Sequence, residues 1–442
     1  MDMDYDAIIL GGGPGGYGAA IRLGQHGKKV ALIEKEKIGG ECLNYGCIPS
    51  KALIEMANSI GYLKELPGVN ANPEIDMAKW QKWKWEMIGK LTSGVETLCK
   101  AQGVTVVKGE GKIIDRNTVE VQGKQITAMN LVIATGSSPV RFPSFEGVAY
   151  NREILDIPRI PKSLLIVGGG YIGVELGTAF SKLGSTVTIV EMMPGILPGV
   201  EKELVNPVDR KLRSMGVTIL TETKVEKIVK SESAFEADLS DGKKLQVENV
   251  LVTVGRRPNT EGFGLENLHL EMNGRFIKID SRCETSIKGV YALGDVSGEP
   301  MLAHRAYYQA GVVAQNIAGH DAEVDYHSMP YVIYSDPEIS YTGKKGTRET
   351  VFPLAANGRA LGMNSSIGTY RIFIDDDGIV TGAGIVAPHS SEMISELTLS
   401  VEAGLSVNDI ALTIHPHPTI SEGVMESAEG AFGKPLHFKS GR

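Results

Sequence analysis

The chain has 442 residues, which implies two to four packed units rather than a single core. Its 45 Lys and Arg stand against 53 Asp and Glu, and the net charge of −8 argues against a protein that wraps nucleic acid through phosphate contacts. Charged residues at 22% and hydrophobic residues at 42% exclude a disordered chain, and the 53 glycines point to tight turns and close backbone approaches.

The start, Met1-Asp-Met-Asp-Tyr-Asp6, is acidic and leads straight into an apolar strand, whereas signal and transit peptides need a basic start. The longest apolar stretch, 164–180, is interrupted by glycines and Glu175, and falls short of the roughly twenty apolar residues of a membrane span. A cytoplasmic protein without a membrane span is expected. Four cysteines, at 42, 47, 99 and 283, are too few for a secreted disulfide scaffold. Two of them only five apart suggest redox catalysis or a metal.

The first strand is Asp6–Leu10, followed by Gly11-Gly-Gly-Pro-Gly-Gly16 and a helical pattern to about Gly27. A second strand, Lys29–Glu34, follows at once. This is a βαβ unit with G-x-G-x-x-G at Gly11, Gly13 and Gly16, and Glu34 lies 18 positions beyond the last glycine. Such glycines let a pyrophosphate reach the backbone at a helix N-terminus, while the carboxylate receives a ribose hydroxyl.

The pattern then repeats. Strand 164–167 leads into Gly168, Gly170 and Gly173, and strand Thr186–Val190 ends at Glu191, again 18 beyond the last glycine. The copies also close alike: Leu131-Val-Ile-Ala-Thr-Gly136-Ser-Ser-Pro139 is similar to Leu251-Val-Thr-Val-Gly255-Arg-Arg-Pro258. Two dinucleotide sites follow. From Gly11 to Gly136 is 125 positions and from Gly168 to Gly255 is 87, so the first copy carries 38 more and holds both close cysteines. A redox insertion sits inside one nucleotide unit.

Gly289–Asp295 is a further strand ending in a Gly-Asp turn, which returns the chain to the first unit. From about Val324 the pattern changes to strands punctuated by Pro and Gly, including Tyr370–Ile374 and Ile379–Val386. Helical stretches Ser390–Ala403 and Ser406–Thr413 follow, and the whole reads as a separate α+β domain.

The cysteine block is Gly39-Gly-Glu-Cys42-Leu-Asn-Tyr-Gly-Cys47-Ile-Pro-Ser-Lys51. Positions five apart in a regular helix lie about 7.5 Å apart along the axis, and a disulfide wants Cα atoms within roughly 7 Å. Bridging the two cysteines therefore needs a distorted turn, which Gly46 and Pro49 permit. Thiolates there would sit at a helix N-terminus that favours negative charge. A zinc site needs further Cys or His at metal spacing, and none is near.

These motifs resemble the flavin-dependent pyridine nucleotide-disulfide oxidoreductases over essentially the whole chain. In order they are G-G-G-P-G-G (11–16), the cysteine block (39–51), A-T-G-S (134–137), G-G-G-Y-I-G-V-E (168–175), G-R-R-P-N (255–259), A-L-G-D (292–295) and H-P-H-P-T-I-S-E (415–422). The resemblance implies an α/β chain: two Rossmann-like FAD/NAD-binding domains plus a C-terminal α+β dimerisation domain. Residues 1–157 would form the FAD domain with its redox disulfide and 158–279 the NAD domain. Residues 280–325 would complete the FAD domain, and 326–442 would form the dimer interface.

By the same resemblance, the first fingerprint and Gly136 serve FAD, with Glu34 on the adenosine ribose and Asp295 on the ribityl chain. The second fingerprint, Glu191 and Gly255 serve NAD. Cys42 would meet the substrate and Cys47 the flavin. Lys51 and Glu175 would pair beside the flavin, and Tyr171 would gate the nicotinamide pocket. His417 would be the base, oriented by Glu422. The implied reaction oxidises dihydrolipoamide on the lipoyl domain of a 2-oxoacid dehydrogenase core, reducing NAD+, in a homodimer. The alternatives are a related disulfide or quinone reductase, or an assembly subunit of a complex. A glutathione-type enzyme would be expected to carry a basic residue in place of Ser50, and a mercuric reductase a further cysteine pair, but no cysteine follows Cys283.

Other features take plainer readings. His415 is expected to be a packing or loop residue, and His304 lies either under the flavin or at a helix cap. Cys99 and Cys283 are expected to be small buried hydrophobes. Lys79-Trp-Gln-Lys-Trp-Lys-Trp85 holds all three tryptophans, and is expected to be a helix with an internally packed or dimer-contacting aromatic face rather than a nucleic-acid stacking platform. Three features depart from the family pattern: Glu41, Tyr45, and the direct run from Thr342 to Val351 where a short helix is usual.

Overall fold

The computed structural model describes residues 3–439. Strand Tyr5–Leu10 lies between Val30–Glu34 and the second half of Lys124–Ile133, both parallel to it. A parallel strand covered on both faces reads as a continuous apolar run, and Ala7, Ile8, Ile9 and Leu10 are all buried. Helix α1 (Pro14–Gln25) opens on a proline, which has no N–H to leave unpaired in the first turn. Thr105–Lys108 extends the sheet beyond Val30–Glu34, and Val290–Ala292 joins it beside Lys124–Ile133. The first half of Lys124–Ile133 pairs antiparallel with Thr118–Val121, which in turn pairs with Gly111–Asp115.

The extra residues of the first copy lie between its second and third parallel strands. They form helices α2 (Gly40–Tyr45), α3 (Cys47–Glu65) and α4 (Met77–Ala101). Trp80 is buried on α4, and Trp85 donates its indole N–H to Asp156 at 2.9 Å. Lys84 is buried too, and its ammonium bonds the Leu155 carbonyl at 2.8 Å and Asp156 at 3.0 Å. The aromatic face thus packs inward at Trp80 and Trp85, and Trp83 points out. Cys99 and Cys283 are fully buried free thiols.

After the short helix α5 (Asn151–Ile154), the second copy repeats the plan. Strand Ser163–Val167, helix α6 (Tyr171–Lys182), strand Thr186–Val190, helix α7 (Lys202–Ser214) and strand Thr218–Leu220 are followed by an antiparallel meander over 225–247 and a last parallel strand, Asn249–Val252. The two closing segments, alike in sequence, bond to each other: Ser137–Pro139 pairs antiparallel with Arg256–Pro258. Helix α8 (Ala303–Ala318) then packs across α1.

The last unit is an antiparallel sheet of five strands in the order 331–333, 338–343, 380–387, 369–374, 348–353. Helices α9 (Gly358–Gly362), α10 (Ser390–Glu402), α11 (Val407–Leu412) and α12 (Glu422–Gly430) accompany it. Glu338–Gly343 runs almost directly into Arg348–Pro353 with no intervening helix, and Lys344 N–H bonds the Thr381 carbonyl at 2.9 Å.

The fingerprint glycines divide into two kinds. A Cβ on Gly16 would lie 1.8 Å from the Gly11 carbonyl oxygen, and one on Gly173 would lie 2.1 Å from that of Gly168. Those positions are closed by the protein's own backbone. Gly13 and Gly170 have ordinary φ of −72° and −71°, and a Cβ there would meet nothing closer than 4.0 Å. Gly16→Ala is therefore expected to lower the unfolding temperature of the cofactor-free protein by several degrees, on the order of 1–3 kcal/mol, whereas Gly13→Ala leaves it within about one degree. Thermal melts followed by circular dichroism measure both.

Candidate active site

The chain breaks between α2 and α3 at Gly46, whose φ of −130° and ψ of −105° leave the helical region. The break draws the Cα atoms of Cys42 and Cys47 to 4.7 Å, and the two sulfurs form a disulfide. Both cysteines line a cavity of about 540 Å³, with Cys47 the more exposed. The same cavity is lined by Gly11, Gly13, Glu34, Lys51, Gly136, Tyr171, Glu175 and Asp295. Gly16 lies beneath the first turn. Gly168, Gly170, Gly173, Glu191 and Gly255 belong to the second unit's turns and do not line the cavity.

The two fingerprint carboxylates are held alike. Glu34 accepts Gly12 N–H and Glu36 N–H, both at 2.7 Å. Glu191 accepts Gly169 N–H at 2.6 Å and Met193 N–H at 2.8 Å. Each carboxylate oxygen keeps a lone pair for a ribose hydroxyl. The open space at Gly13 and Gly170, beside the first turns of α1 and α6, is a cradle that a side chain would fill. These residues fit dinucleotide binding.

Lys51 on α3 reaches Glu175 on α6 at 2.9 Å. The other oxygen of Glu175 accepts Tyr334 N–H at 2.9 Å, and the Lys51 ammonium lies 4.5 Å from the centre of the Tyr334 ring. Tyr171 is 45% exposed yet stands inside the concave site, and those surroundings push its phenol pKa up against the opposing charge of Arg256.

His417 Nδ1 lies 2.7 Å from Glu422, which also accepts Thr419 N–H at 2.8 Å. Burial favours the neutral Glu422 carboxyl, but these bonds outweigh it and hold its pKa below the ordinary value. The His417 side chain is 76% exposed and does not line the cavity of its own chain. His415 is the buried one of the two: its ring lies between the Thr413 carbonyl at 2.9 Å and Glu396 at 3.1 Å, and the bond to Glu396 raises its pKa against burial. His304 caps no helix; its ring faces the Pro330 carbonyl at 2.9 Å, and burial lowers its pKa.

Residues 5–310 match the pyridine nucleotide-disulphide oxidoreductase family, and residues 329–428 match that family's dimerisation domain. The chain belongs to this family. It is 43% identical to a dihydrolipoyl dehydrogenase of Geobacillus stearothermophilus, over 99% of this chain and 98% of that one. It is 39% identical to one of Haloferax volcanii, over 98% and 97%. Among solved structures it is similar to LpdA of Mycobacterium tuberculosis, with a TM-score of 0.90, 25% identity, and coverage of 96% of this chain and 99% of that one. It is also similar to the HOCl-induced flavoprotein disulfide reductase RclA of Escherichia coli, with a TM-score of 0.88, 27% identity, and coverage of 96% and 99%.

The family's cofactors are FAD and NAD. Among the described residues, no group of three or more His, Cys, Asp or Glu is placed to hold a metal, and no helix is long and apolar enough to cross a membrane. Within the family's cavity, sequence reasoning missed Ser137 and Arg256. Ser137 donates to Asp295, and Arg256 donates to both the Ser137 hydroxyl and its carbonyl, each at 2.8 Å. Their signal was the likeness of the two closing motifs, whose mutual pairing no one-dimensional comparison reveals.

The lowered pKa of Glu422 has a consequence for stability. A carboxylate depressed in the folded state stabilises it above the ordinary glutamate range, about pH 4.3, and that contribution is lost as pH falls through the folded value. The difference in melting temperature between the wild type and Glu422→Gln is expected to be greatest near neutral pH and to shrink progressively as pH falls below the ordinary glutamate range. Melts across that range measure it.

Proposed function

We propose that this chain oxidises dihydrolipoamide with NAD+, using FAD and the Cys42–Cys47 disulfide, and that it serves the lipoyl domain of a 2-oxoacid dehydrogenase core. The observation that carries the proposal is the disulfide opening onto the same cavity as the Lys51–Glu175 pair and the first fingerprint. The dihydrolipoyl dehydrogenases to which the chain is similar span nearly all of its length, which supports this substrate.

Each side chain then has a task. A dihydrolipoamide thiol attacks poorly until it loses a proton, and the His417 imidazole is the base assigned to take it. Glu422 holds Nδ1 of that ring, which leaves Nε2 for the substrate thiol. The substrate thiolate attacks Cys42, the S–S bond breaks, and Cys47 leaves as thiolate. The second substrate thiol then displaces Cys42, releasing lipoamide with two electrons left on the cysteine pair. FAD, held at the first fingerprint and Glu34, would supply the acceptor for that electron pair, and NAD+, held at the second fingerprint and Glu191, would take it up as hydride. Lys51, held by Glu175, places a positive charge on the Cys47 side of the cavity.

We assign residues 1–157 and 280–325 to the FAD domain, 158–279 to the NAD domain and 326–442 to the interface of a homodimer. Because His417 is exposed and lies outside its own chain's cavity, we assign it to the cavity of its partner. The neighbouring Leu412 and Ile414, 74% and 94% exposed, give that contact an apolar edge. A cytoplasmic location is consistent with Cys99 and Cys283 remaining free.

Two experiments test the assignment. The purified protein is expected to reduce NAD+ with dihydrolipoamide and to prefer NAD+ over NADP+ at least about tenfold in kcat/KM, on the order of 1.4 kcal/mol. Glu191 would repel a 2′-phosphate, and the exposed Met192 and Met193 offer it no positive charge. No turnover, or equal use of both coenzymes, contradicts this. In the second experiment, the inactive variants Cys42→Ser and His417→Ala are refolded together. Random pairing makes half of the dimers mixed, each with one intact site, so activity is expected to return to roughly a quarter of wild type. Mixed dimers that stay inactive place base and disulfide in one chain.

A further inference from the structure

Two of the three departures from the family pattern meet at one place. Glu41 directly precedes Cys42, and Tyr45 stands two residues before Cys47. Arg152 Nε donates to one oxygen of Glu41 at 2.9 Å, and its Nη2 reaches the same oxygen. Asn151 Nδ2 donates to the other Glu41 oxygen at 2.7 Å and to the Tyr45 carbonyl at 2.9 Å. The Arg152 guanidinium also lies 4.1 Å from the centre of the Tyr45 ring, and its Nη1 bonds Glu36 at 2.9 Å. Two successive residues of α5 therefore grip both the side chain before the first cysteine and the turn before the second.

The grip is electrostatic as well as geometric. Partial burial works against the Arg152 charge, but the bonds and charges of Glu41 and Glu36 outweigh it and move its pKa up. The other charges around the turn cancel in pairs: Lys51 of α3 with Glu175 of α6, and Lys84 of α4 with Asp156 beyond α5. What remains on this wall of the cavity is Glu34, Glu36 and Glu41 against Lys35, Arg152 and Lys37, whose ammonium lies over the Trp85 ring at 4.6 Å, with the partner's His417 assigned to the same cavity. Without Arg152, three carboxylates face two cations on the cavity wall that Cys42 also lines.

We propose that Arg152 and Asn151 are positioning residues for the redox disulfide, fixing the turn that carries Cys42 and cancelling the Glu41 charge on the cavity wall that Cys42 shares. The proposal rests on the reading of Cys42 as the thiol that meets substrate. An unpaired carboxylate beside a thiol disfavours the thiolate, the form that attacks and is attacked in exchange. Arg152 thus permits Glu41 at this position, and the ion pair joins the redox turn to the segment entering the second nucleotide unit.

The test reads the Cys42 thiolate directly rather than through turnover. The holoenzyme is reduced by dithiothreitol, which gives up two electrons and two protons and closes to its cyclic disulfide. After the excess is removed without oxygen, iodoacetamide alkylates the thiolate, a C–S bond forming as iodide leaves. Mass spectrometry of the peptide gives the rate at Cys42 against pH. Arg152→Gln is expected to raise the pH midpoint by roughly half to one unit, Arg152→Lys to stay near wild type, and Glu41→Gln/Arg152→Gln to return towards it. Glu41→Gln alone, which keeps the cation, is expected to move the midpoint down, and so tests the idea even if Arg152→Gln does not fold. An unshifted Arg152→Gln overturns the proposal, as does a double variant shifted as far as Arg152→Gln or an upward shift in Glu41→Gln. Turnover of the wild type with dihydrolipoamide, measured alongside, separates failure of this proposal from failure of the assigned reaction.

Discussion

The Glu175 carboxylate accepts one bond from Lys51 and one from Tyr334 N–H, and the three partners come from different parts of the chain. Lys51 belongs to the insertion of the first nucleotide unit, Glu175 to the second, and Tyr334 to the antiparallel sheet at the end. Glu175 is only 3% exposed, and an ionised carboxylate so buried is tolerated only when both oxygens are satisfied. The joint therefore fixes the units against one another and not merely within themselves. Apolar packing acts in the same direction: Leu53 and Ile54 of α3, Val174 and Leu176 of α6, and Ile333 and Ile339 of the last sheet share one core. Hydrophobic contact alone would allow these surfaces to slide, whereas a charge held from two sides sets one register.

Much of this was legible in the amino-acid order. Strand, glycine turn and distant carboxylate recur at equal spacing because a parallel βαβ unit needs all three in that order. The structure shows Glu34 and Glu191 closing the two turns through the same backbone bonds. The break at Gly46 was also readable, since two cysteines five apart cannot bridge across a regular helix. What the order could not show was contact between distant segments. The pairing of 137–139 with 256–258, and the Arg256–Ser137–Asp295 chain it brings together, depends on how the two units pack. Glu41 and Tyr45 stood out as departures, but their partners lie 106 to 111 positions along the chain, beyond any local pattern.

The four titratable sets around the site differ in how far solvent screens them. Lys51–Glu175 and Arg152–Glu41 each join one mostly covered carboxylate to a cation that stays partly exposed. His417–Glu422 follows the same plan, with the carboxylate sheltered and the ring outside. In these three pairs the sheltered carboxylate fixes the geometry: Lys51 faces the cavity, the His417 ring faces outward, and Arg152 is held by Glu41 and Glu36 together. His415 inverts the arrangement, with its ring covered and its glutamate outside, and it is the histidine with a packing role.

Helix α3 carries this logic to the sulfurs. Cys47 is its first residue and Lys51 stands four later, so the two side chains lie on one face, a single turn apart. The break at Gly46 decides where α3 begins, and hence which direction that face points. Moving the start by one residue would rotate the face by about 100°, carrying the Cys47 sulfur and the Lys51 ammonium out of the cavity together. The disulfide, the cation beside it and the buried Glu175 that holds the cation therefore depend on one backbone irregularity. Glu41 and Tyr45, on the other side of that irregularity, are held from outside the helix by Asn151 and Arg152. The redox turn is thus anchored at both ends, by Glu175 through Lys51 on one side and by α5 on the other, and the sulfurs lie between the two anchors.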